Sequence, residues 1–186
     1  MNKKLDILEP NIILNAYKIG IFPMANDKSS KKIFWVKPKM RGVLPLSNVH
    51  IPKSLKKKIK KNPFIIKFDT SFNEVIKACS ELNKKRNQTW INEEIVLSYN
   101  KLYEMGYAHS VEAWKNNKLV GGLYGISINS AFFGESMFSI ENDSSKISLV
   151  YLLHLLKNLN FLLFDVQFKT NHLSQFGVIE ITEKKY

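Results

Sequence analysis

The chain has 186 residues, 45% of them apolar and 24% charged, and its 28 Lys and Arg against 16 Asp and Glu give a formal net charge of +12. This composition is too apolar for a disordered chain, and the length allows one sizeable core with a small appended lobe rather than a long multidomain assembly. The single cysteine, Cys79, excludes an internal disulfide, and the charge indicates an anionic partner.

The chain shows no membrane-spanning pattern. Its most apolar stretch, residues 149–164, is interrupted by His154 and Lys157, so it does not offer an unbroken apolar span. Near the start, Asp6 and Glu9 interrupt any signal-peptide pattern. These features predict a cytoplasmic protein with no membrane partner.

The first predicted elements are short. Apolar residues at helical spacing predict a helix over residues 12–19 that ends at Gly20 in the left-handed conformation. Pro23 predicts a turn, and aromatic and β-branched residues predict strands over residues 33–36 and 41–45.

A lysine-rich segment, residues 52–61, follows and has the pattern of a basic amphipathic helix. A short strand is predicted over residues 64–68. The spacing of Ser71 and Glu74 matches a capping box that opens a second helix, and Asn92 can cap a third.

The C-terminal half predicts a sheet. Residues 109–126 have the pattern of a hairpin, a third strand follows over residues 131–137, a long helix begins near Ser144, and a buried strand is predicted over residues 161–166. This order predicts an α+β fold with a mostly antiparallel sheet flanked by helices.

The lysine-rich helix has two interpretations. Its charges could form a solvated face, or they could contact the phosphates of a nucleic acid, which would bind the backbone without reading bases. A second basic cluster over residues 84–86 favours the phosphate interpretation. The predicted phosphate-binding residues are Lys53, Lys56, Lys57, Lys60 and Lys61.

Carboxylates stand at the ends of two predicted apolar strands. Glu135 follows one, and Asp165 and Gln167 follow the other, where strand alternation would place both on one face. These groups are either strand ends that reach solvent or a site where an amine is bound and deprotonated. Glu112 is interpreted as a cross-strand polar partner or an exposed residue, and no metal-ligand spacing is present.

A series of segments, in order along the chain, then points to one family. The segments are residues 17–23, Thr89-Trp90-Ile91, residues 106–112, residues 119–125, residues 132–139 with Gly134-Glu135-Ser136 at their centre, Ser145-Lys146, Asp165-x-Gln167 and His172-Leu173. Together they resemble the bacterial leucyl/phenylalanyl-tRNA–protein transferase family.

The resemblance implies an aminoacyltransferase of the leucyltransferase type. It would move Leu or Phe, and less readily Met, from Leu-tRNA, Phe-tRNA or Met-tRNA to the N-terminal Arg or Lys of a protein and so mark that protein for N-degron degradation. The implied architecture is a small N-terminal lobe, residues 1–50, shortened relative to the family, on an acetyltransferase-like (acyl-CoA N-acyltransferase) catalytic domain, residues 51–186. No coenzyme A is expected, because residues 139–146 lack the glycines of a pyrophosphate cradle. No metal is expected, because the histidines lack metal-ligand spacing with Cys79.

The resemblance also assigns catalytic roles. Gln167 would take or orient the proton of the attacking amine, Asp165 would polarise Gln167 through a hydrogen bond, and Glu135 would hold a cationic amino group. Because a neutral amide is a poor base, the 2′-hydroxyl of the terminal adenosine or water stays open as the proton acceptor.

Binding roles follow from the same resemblance. Trp35, Trp90 and Tyr99 would contact the terminal adenosine, although each Trp could instead pack in the core. The implied aminoacyl side-chain pocket consists of Leu123, Phe132, Met137, Leu152, Leu156 and Phe164.

Some residues depart from the family pattern. Val36 follows Trp35 where the family has a second aromatic residue, and Met24 stands where Trp is usual. Two alternatives remain: a related aminoacyl-tRNA-dependent transferase with a different donor or acceptor, and a non-enzymatic RNA-binding module.

Overall fold

The structure is a computed structural model that describes residues 8–83 and 86–186. Its helices are α1 (Pro10–Lys18), α2 (Lys53–Ile59), α3 (Phe72–Ser80), α4 (Glu93–Glu104), α5 (Ser144–Asn158) and α6 (Asn171–Ser174), with a 3₁₀ helix at Leu46–Asn48. Its strands are β1 (Phe22–Ala25), β2 (Ile33–Val36), β3 (Met40–Val43), β4 (Ile65–Phe68), β5 (Ala108–Lys115), β6 (Lys118–Ile128), β7 (Ala131–Ser139), β8 (Leu163–Gln167) and β9 (Ile179–Thr182).

Seven strands form one sheet in the order β4-β5-β6-β7-β8-β3-β9. All neighbours pair antiparallel except β7 and β8, which are parallel. A separate hairpin-like sheet contains β1 and β2. The predicted α+β class, with a mostly antiparallel sheet flanked by helices, is confirmed.

The N-terminal segment differs from prediction in two places. Pro23 does not form a turn, because it lies inside β1 opposite Trp35, in a two-stranded sheet whose edges tolerate a residue without an N–H. Strand β3 belongs to the large sheet, where it pairs with β8 and β9, although its sequence position falls within residues 1–50. The division into two domains stays a prediction.

The large sheet separates two hydrophobic layers. Tyr124 and Ile126 of β6 pack with side chains of α1, α3 and α4, whereas Leu123, the neighbour of Tyr124, packs with α2, α5 and the 3₁₀ helix. This alternation follows from the two-residue period of a strand. Among the described residues, no helix is both long and apolar enough to cross a membrane.

Helix starts are fixed in two ways. The predicted cap at Asn92 is confirmed, because its side chain accepts a hydrogen bond from Ile95 N at 2.9 Å. The predicted capping interaction of Ser71 is absent, since its side chain makes no cap bond. Instead, the N–H groups of Thr70 and Ser71 donate to Glu112 at 3.2 and 3.3 Å. Of the two interpretations of Glu112, the exposed residue is wrong, because its exposure is 0%, whereas its bonds to Thr70 and Ser71 beyond the neighbouring strand β4 agree with a polar partner across strands.

Candidate active site

A cavity of about 340 Å³ lies beside the point where β7 and β8 run parallel. Its polar lining includes Glu135, Gln167, His172 and Arg86. Its apolar lining includes Phe22, Trp90, Leu123, Met137, Phe164 and Leu173. The cavity therefore combines apolar walls with a few converging polar groups, as ligand sites in proteins do.

Glu135 reaches this cavity from an irregularity in β7. Tyr124 of β6 is opposite Ser136 and Gly125 is opposite Gly134, so Glu135 is the extra residue of a β-bulge. A bulge re-aims a side chain that a regular strand would direct elsewhere. The local signal for this bulge in the sequence is Gly134, because a glycine inside a strand often marks one.

The Glu135 carboxylate accepts hydrogen bonds from three side chains. Tyr17 Oη donates to Oε1 at 2.7 Å, and Gln167 Nε2 donates to the same oxygen at 2.9 Å. Tyr99 Oη donates to Oε2 at 3.4 Å, a long contact. The Tyr17 and Tyr99 hydroxyl oxygens also lie 2.6 Å apart. Since Tyr17 gives its one proton to Glu135, the one proton of Tyr99 serves either Tyr17 or Glu135.

Burial dominates the electrostatics of this carboxyl. Desolvation, with a contribution from the nearby Asp165, raises the pKa of Glu135 to about 7, while hydrogen bonding by Tyr17 and Tyr99 and the charge of Arg41 oppose the shift. Both protonation states are therefore populated near neutral pH. A cation placed in the cavity would favour the charged form.

Asp165 occupies a different position, behind the cavity. It has 0% exposure, and its Oδ2 lies 2.7 Å from Arg41 Nε and 2.6 Å from Arg41 Nη2. The Tyr186 hydroxyl donates to the same oxygen at 2.7 Å. Oδ1 accepts the backbone N–H of Gln167 at 2.7 Å. Asp165 is thus enclosed by protein partners and does not line the cavity.

The prediction that Asp165 and Gln167 share one face of a regular strand is wrong. Gly42 of β3 is opposite Gln167 and Val43 is opposite Asp165, so Val166 is an extra residue and the strand is irregular. Gln167 has φ of +57°, a left-handed conformation that few side chains adopt. Val166 and Gln167 both line the cavity as a result.

The contact between Asp165 and Gln167 also differs from the expected one. Asp165 accepts the backbone N–H, whereas the side-chain amide of Gln167 donates to Glu135. Asp165 therefore holds the unusual backbone of Gln167, and that backbone aims the amide. Polarisation of the amide through a side-chain hydrogen bond from Asp165 is not what this geometry offers.

The implied side-chain pocket is divided between cavity and core. Leu123, Met137 and Phe164 line the cavity. Phe132, Leu152 and Leu156 have 2%, 3% and 2% exposure and pack in the adjacent core cluster rather than in the lining. Direct contact of these three with a bound side chain stays a prediction. They pack behind the residues that line the cavity and support them.

The aromatic residues implied for adenosine binding lie in three different settings. Trp90 lines the cavity. Trp35 lies on β2 with 40% exposure and is not part of the lining. Tyr99 has 0% exposure and its hydroxyl bonds to Glu135 and Tyr17, so its ring is closed to a ligand here. Tyr99 is better described as a support for Glu135.

The lysine-rich helix α2 is formed as predicted. Lys58 is partly buried and donates to Asn142 O at 2.7 Å and Asp143 Oδ2 at 3.1 Å, which ties α2 to the start of α5. The five lysines implied for phosphate binding, Lys53, Lys56, Lys57, Lys60 and Lys61, are all exposed. Within the described ranges these five form no ion pair.

The second predicted basic cluster lies partly outside the described residues, because Lys84 and Lys85 are not described. Arg86 belongs to the cavity wall, where its guanidinium donates to the carbonyl oxygens of Cys79 and Met137. In the part of the chain that the structure describes, no group of three or more His, Cys, Asp or Glu is arranged to hold a metal.

Three supporting residues escaped prediction. Arg41 and Tyr186 enclose Asp165, and Tyr17 bonds Glu135. The Arg41 guanidinium also donates to Gly20 O at 2.7 Å and faces the Tyr186 ring at 4.8 Å. A charged residue such as Arg41, with 2% exposure in an otherwise apolar strand region, is the sort of signal that only a structure reveals.

The fold and site together define a class. The protein is strongly basic, its lysine-rich helix is exposed, and its apolar cavity is bordered by a carboxylate and an amide, features that occur in proteins that bind anionic and apolar ligands. Family comparison makes this specific. Residues 43–186 match the leucyl/phenylalanyl-tRNA protein transferase family, and residues 6–39 match the N-terminal domain of that family. The chain belongs to the leucyl/phenylalanyl-tRNA–protein transferase family.

Solved structures with an overall likeness are distant. A functionally unknown conserved protein from Staphylococcus epidermidis ATCC 12228 has 13% identity and a TM-score of 0.46, with 97% of this chain and 66% of that chain covered. L-PGS from Bacillus licheniformis has 11% identity and a TM-score of 0.46, with 89% and 55% covered. This chain thus spans between about half and two thirds of the length of these structures.

Proposed function

We propose that this protein transfers Leu or Phe, and less readily Met, from the corresponding aminoacyl-tRNA to the N-terminal Arg or Lys of an acceptor protein. The observation that carries the proposal is the cavity of about 340 Å³ that Glu135 and Gln167 border, in a chain of this family. The proposal includes an acetyltransferase-like fold, a cytoplasmic location, no metal or coenzyme, and a role in N-degron degradation.

The apolar wall supports the choice of donor. Leu123, Met137 and Phe164 offer contacts to a Leu, Phe or Met side chain, while a charged side chain would lose its hydration there without a partner. Discrimination among apolar side chains is modest, about 1–3 kcal/mol per methylene. Shape of the cavity must therefore reject the β-branched donors.

The carboxylate supports the choice of acceptor. Glu135 is the acidic residue among the cavity-lining side chains, and a bound cation would lower the pKa that burial raises to about 7. An acceptor with an α-ammonium and a cationic side chain supplies such a charge. An acidic acceptor would meet repulsion.

The lysines of α2 support binding of the tRNA. Contacts of Lys53, Lys56, Lys57, Lys60 and Lys61 with phosphates would be independent of sequence, which suits an enzyme that accepts more than one tRNA. Lys58 fixes the helix against α5 through Asp143. The cationic surface is thereby attached to the domain that carries the cavity.

The reaction joins the acceptor nitrogen to the ester carbonyl carbon of the donor and releases the ribose oxygen. An α-ammonium, with a pKa of about 7.7–8.0, must first lose a proton. Gln167 can orient the amine through its side-chain oxygen, because its amide nitrogen is engaged by Glu135. Positioning of the two reactants would supply much of the rate enhancement.

The test is transfer of radiolabelled amino acid to a peptide. Purified protein is incubated with Leu-, Phe- or Met-tRNA and peptides that begin with Arg, Lys or Asp. We expect label on the Arg and Lys peptides, most from Leu or Phe. Label on the Asp peptide alone would indicate the related transferase, and tRNA binding without any transfer would indicate an RNA-binding module.

A further inference from the structure

The proposed reaction needs a proton acceptor, and neither the carboxylates of Glu135 and Asp165 nor the amide of Gln167 is suited to that role. Four titratable side chains line the cavity within the described residues: Arg86, Tyr124, Glu135 and His172. The question rests on the proposed function, since only amine attack requires the acceptor. Each of the four can be judged by its partners.

Two of the four are poor acceptors. Arg86 is permanently charged and donates to the carbonyl oxygens of Cys79 and Met137. Burial, with the nearby Glu135, raises the pKa of Tyr124 well above its ordinary value, so this hydroxyl keeps its proton. Neither group acts as a base toward an ammonium at neutral pH.

The two carboxylates hold other side chains of the site, and only Glu135 keeps an oxygen with no more than a long contact. Glu135 Oε1 accepts hydrogen bonds from both Tyr17 and Gln167, and Oε2 faces Tyr99. Asp165 is enclosed by Arg41 and Tyr186 and lies behind the cavity. Glu135, which lines the cavity, is suited to binding a cation, and Asp165 is suited to positioning Gln167.

His172 differs from the other three because its imidazole is an exposed base with no hydrogen-bond partner among the described residues. The Tyr124 hydroxyl also lacks such a partner, but it is buried and keeps its proton. His172 lies on α6 at the rim of the cavity, exposed to solvent on one side. The Thr170 side chain caps α6 by accepting the N–H of Leu173, which fixes the short helix that carries the ring.

The surroundings keep this ring neutral. Partial burial and the charge of Lys146 lower the pKa of His172 below its usual 6.5, and Asp143 opposes them with a smaller effect. Lys146 and Asp143 belong to the start of α5 and form an ion pair at 3.2 Å. At neutral pH, the imidazole therefore presents a lone pair to the cavity entrance.

We propose that the imidazole of His172 accepts the proton of the attacking amine. The ring takes one proton from the α-ammonium and passes it to water. The neutral nitrogen then forms the C–N bond with the ester carbonyl carbon. The second proton leaves the nitrogen through the same imidazole and joins the ribose oxygen as the C–O bond breaks, so the released tRNA carries a hydroxyl.

The test uses His172→Ala and chemical rescue. We expect kcat for Leu transfer to fall by about 100-fold, as for loss of a general base, and to recover in part when free imidazole is added. Affinity for Leu-tRNA should stay within a factor of two. His172→Gln, which keeps a polar side chain of similar size, should lose as much activity as His172→Ala but should not respond to imidazole.

His154→Ala is the matched control, because His154 is an exposed histidine on α5 outside the lining of this cavity. Wild-type kcat in either His172 variant, or a loss in His172→Ala that imidazole leaves unchanged, overturns the role of His172. Either result leaves the proposed function standing as long as the wild-type protein transfers Leu. Absence of transfer in the wild-type protein would instead overturn the proposed function.

Discussion

Two buried carboxylates in one sheet, Glu112 of β5 and Glu135 of β7, have contrasting environments. Glu112 accepts two backbone N–H groups, from Thr70 and Ser71, and two hydroxyl groups, from Thr70 and Ser110. No described cavity is lined by Glu112. It closes the start of α3, where backbone donors would otherwise be unpaired.

Glu135 borders a cavity, and its hydrogen bonds to described residues all come from side chains. One of its oxygens receives two short hydrogen bonds and the other a single contact of 3.4 Å, and burial raises the pKa to about 7. A carboxylate saturated by backbone and hydroxyl donors serves the fold. A carboxylate left partly satisfied beside a cavity is available for a ligand.

A third carboxylate, Asp165, shares features of both: its oxygens are fully bonded by protein groups, and it adjoins Gln167 of the site. Its replacement should have the largest effect. We expect Asp165→Asn to lower transfer at least about 100-fold and to destabilise the fold by about 3–5 kcal/mol, since it leaves the buried Arg41 guanidinium without its counter-ion. Transfer and denaturant unfolding are both measured. Wild-type transfer in folded Asp165→Asn would contradict the positioning role.

The matched pair Glu135→Gln and Glu112→Gln separates function from stability. Glu135→Gln should abolish most transfer at saturating tRNA. Glu112→Gln should destabilise the protein by about 1–3 kcal/mol, because some donors lose their acceptor, yet keep transfer in the folded fraction. Equal loss of activity in both variants would remove the distinction between the two carboxylates.

The pH dependence of stability gives the same pair a second readout. The ordinary pKa of Glu is 4.5 and that of folded Glu135 is about 7, so between these values the folded state holds the proton that the unfolded state has lost. Wild-type stability should therefore fall relative to Glu135→Gln as pH rises from 4.5 to 7, by up to about 3 kcal/mol. A pH-independent difference in unfolding free energy would contradict the raised pKa.

The two faces of the sheet should differ in tRNA binding. We expect Lys57→Glu with Lys60→Glu on the α2 side to weaken binding about 10-fold or more and to reduce the slope of log affinity against log salt by about two. Lys77→Glu with Lys101→Glu, on the exposed surfaces of α3 and α4, is the charge-matched control. An equal loss of tRNA affinity in both double variants would show that net charge, and not the position of the α2 lysines, determines binding.

The smallest effect is expected at Tyr186. Tyr186→Phe removes one hydrogen bond to Asp165 and keeps the ring over Arg41. We therefore expect the free energy of unfolding to fall by about 1 kcal/mol and the transfer rate to fall a few-fold. Thermal unfolding and initial transfer rates measure this. A loss as large as that of Asp165→Asn would show that the hydroxyl does more than support Asp165.

Local sequence chemistry predicted most of the helices and strands, but not β1, α6 or β9. Asn92 caps α4 through its own side chain, and Asn116 and Asn117 adopt φ of +50° and +58° in the two-residue hairpin turn between β5 and β6. Such features depend on neighbouring residues only. For the same reason the lysine-rich helix was predictable, because its pattern is contained in one segment.

The site was predictable only as a set of residues, not as a geometry. The bulges at Glu135 and Val166 arise from how β7 and β8 pair with β6 and β3, and Arg41 meets Asp165 124 positions later in the chain. No short-range pattern encodes these contacts. Sequence alternation therefore placed Asp165 and Gln167 together, whereas pairing separates their side chains.

The existence of an aminoacyl pocket beside Glu135 is tested most directly by calorimetry of the protein with Leu joined to adenosine by a stable amide. We expect one binding site on the wild-type protein, and loss of that binding in Met137→Trp, which fills the cavity beside Glu135 with a larger side chain. No binding to the wild-type protein, or equal binding to Met137→Trp, would contradict an aminoacyl pocket at this position.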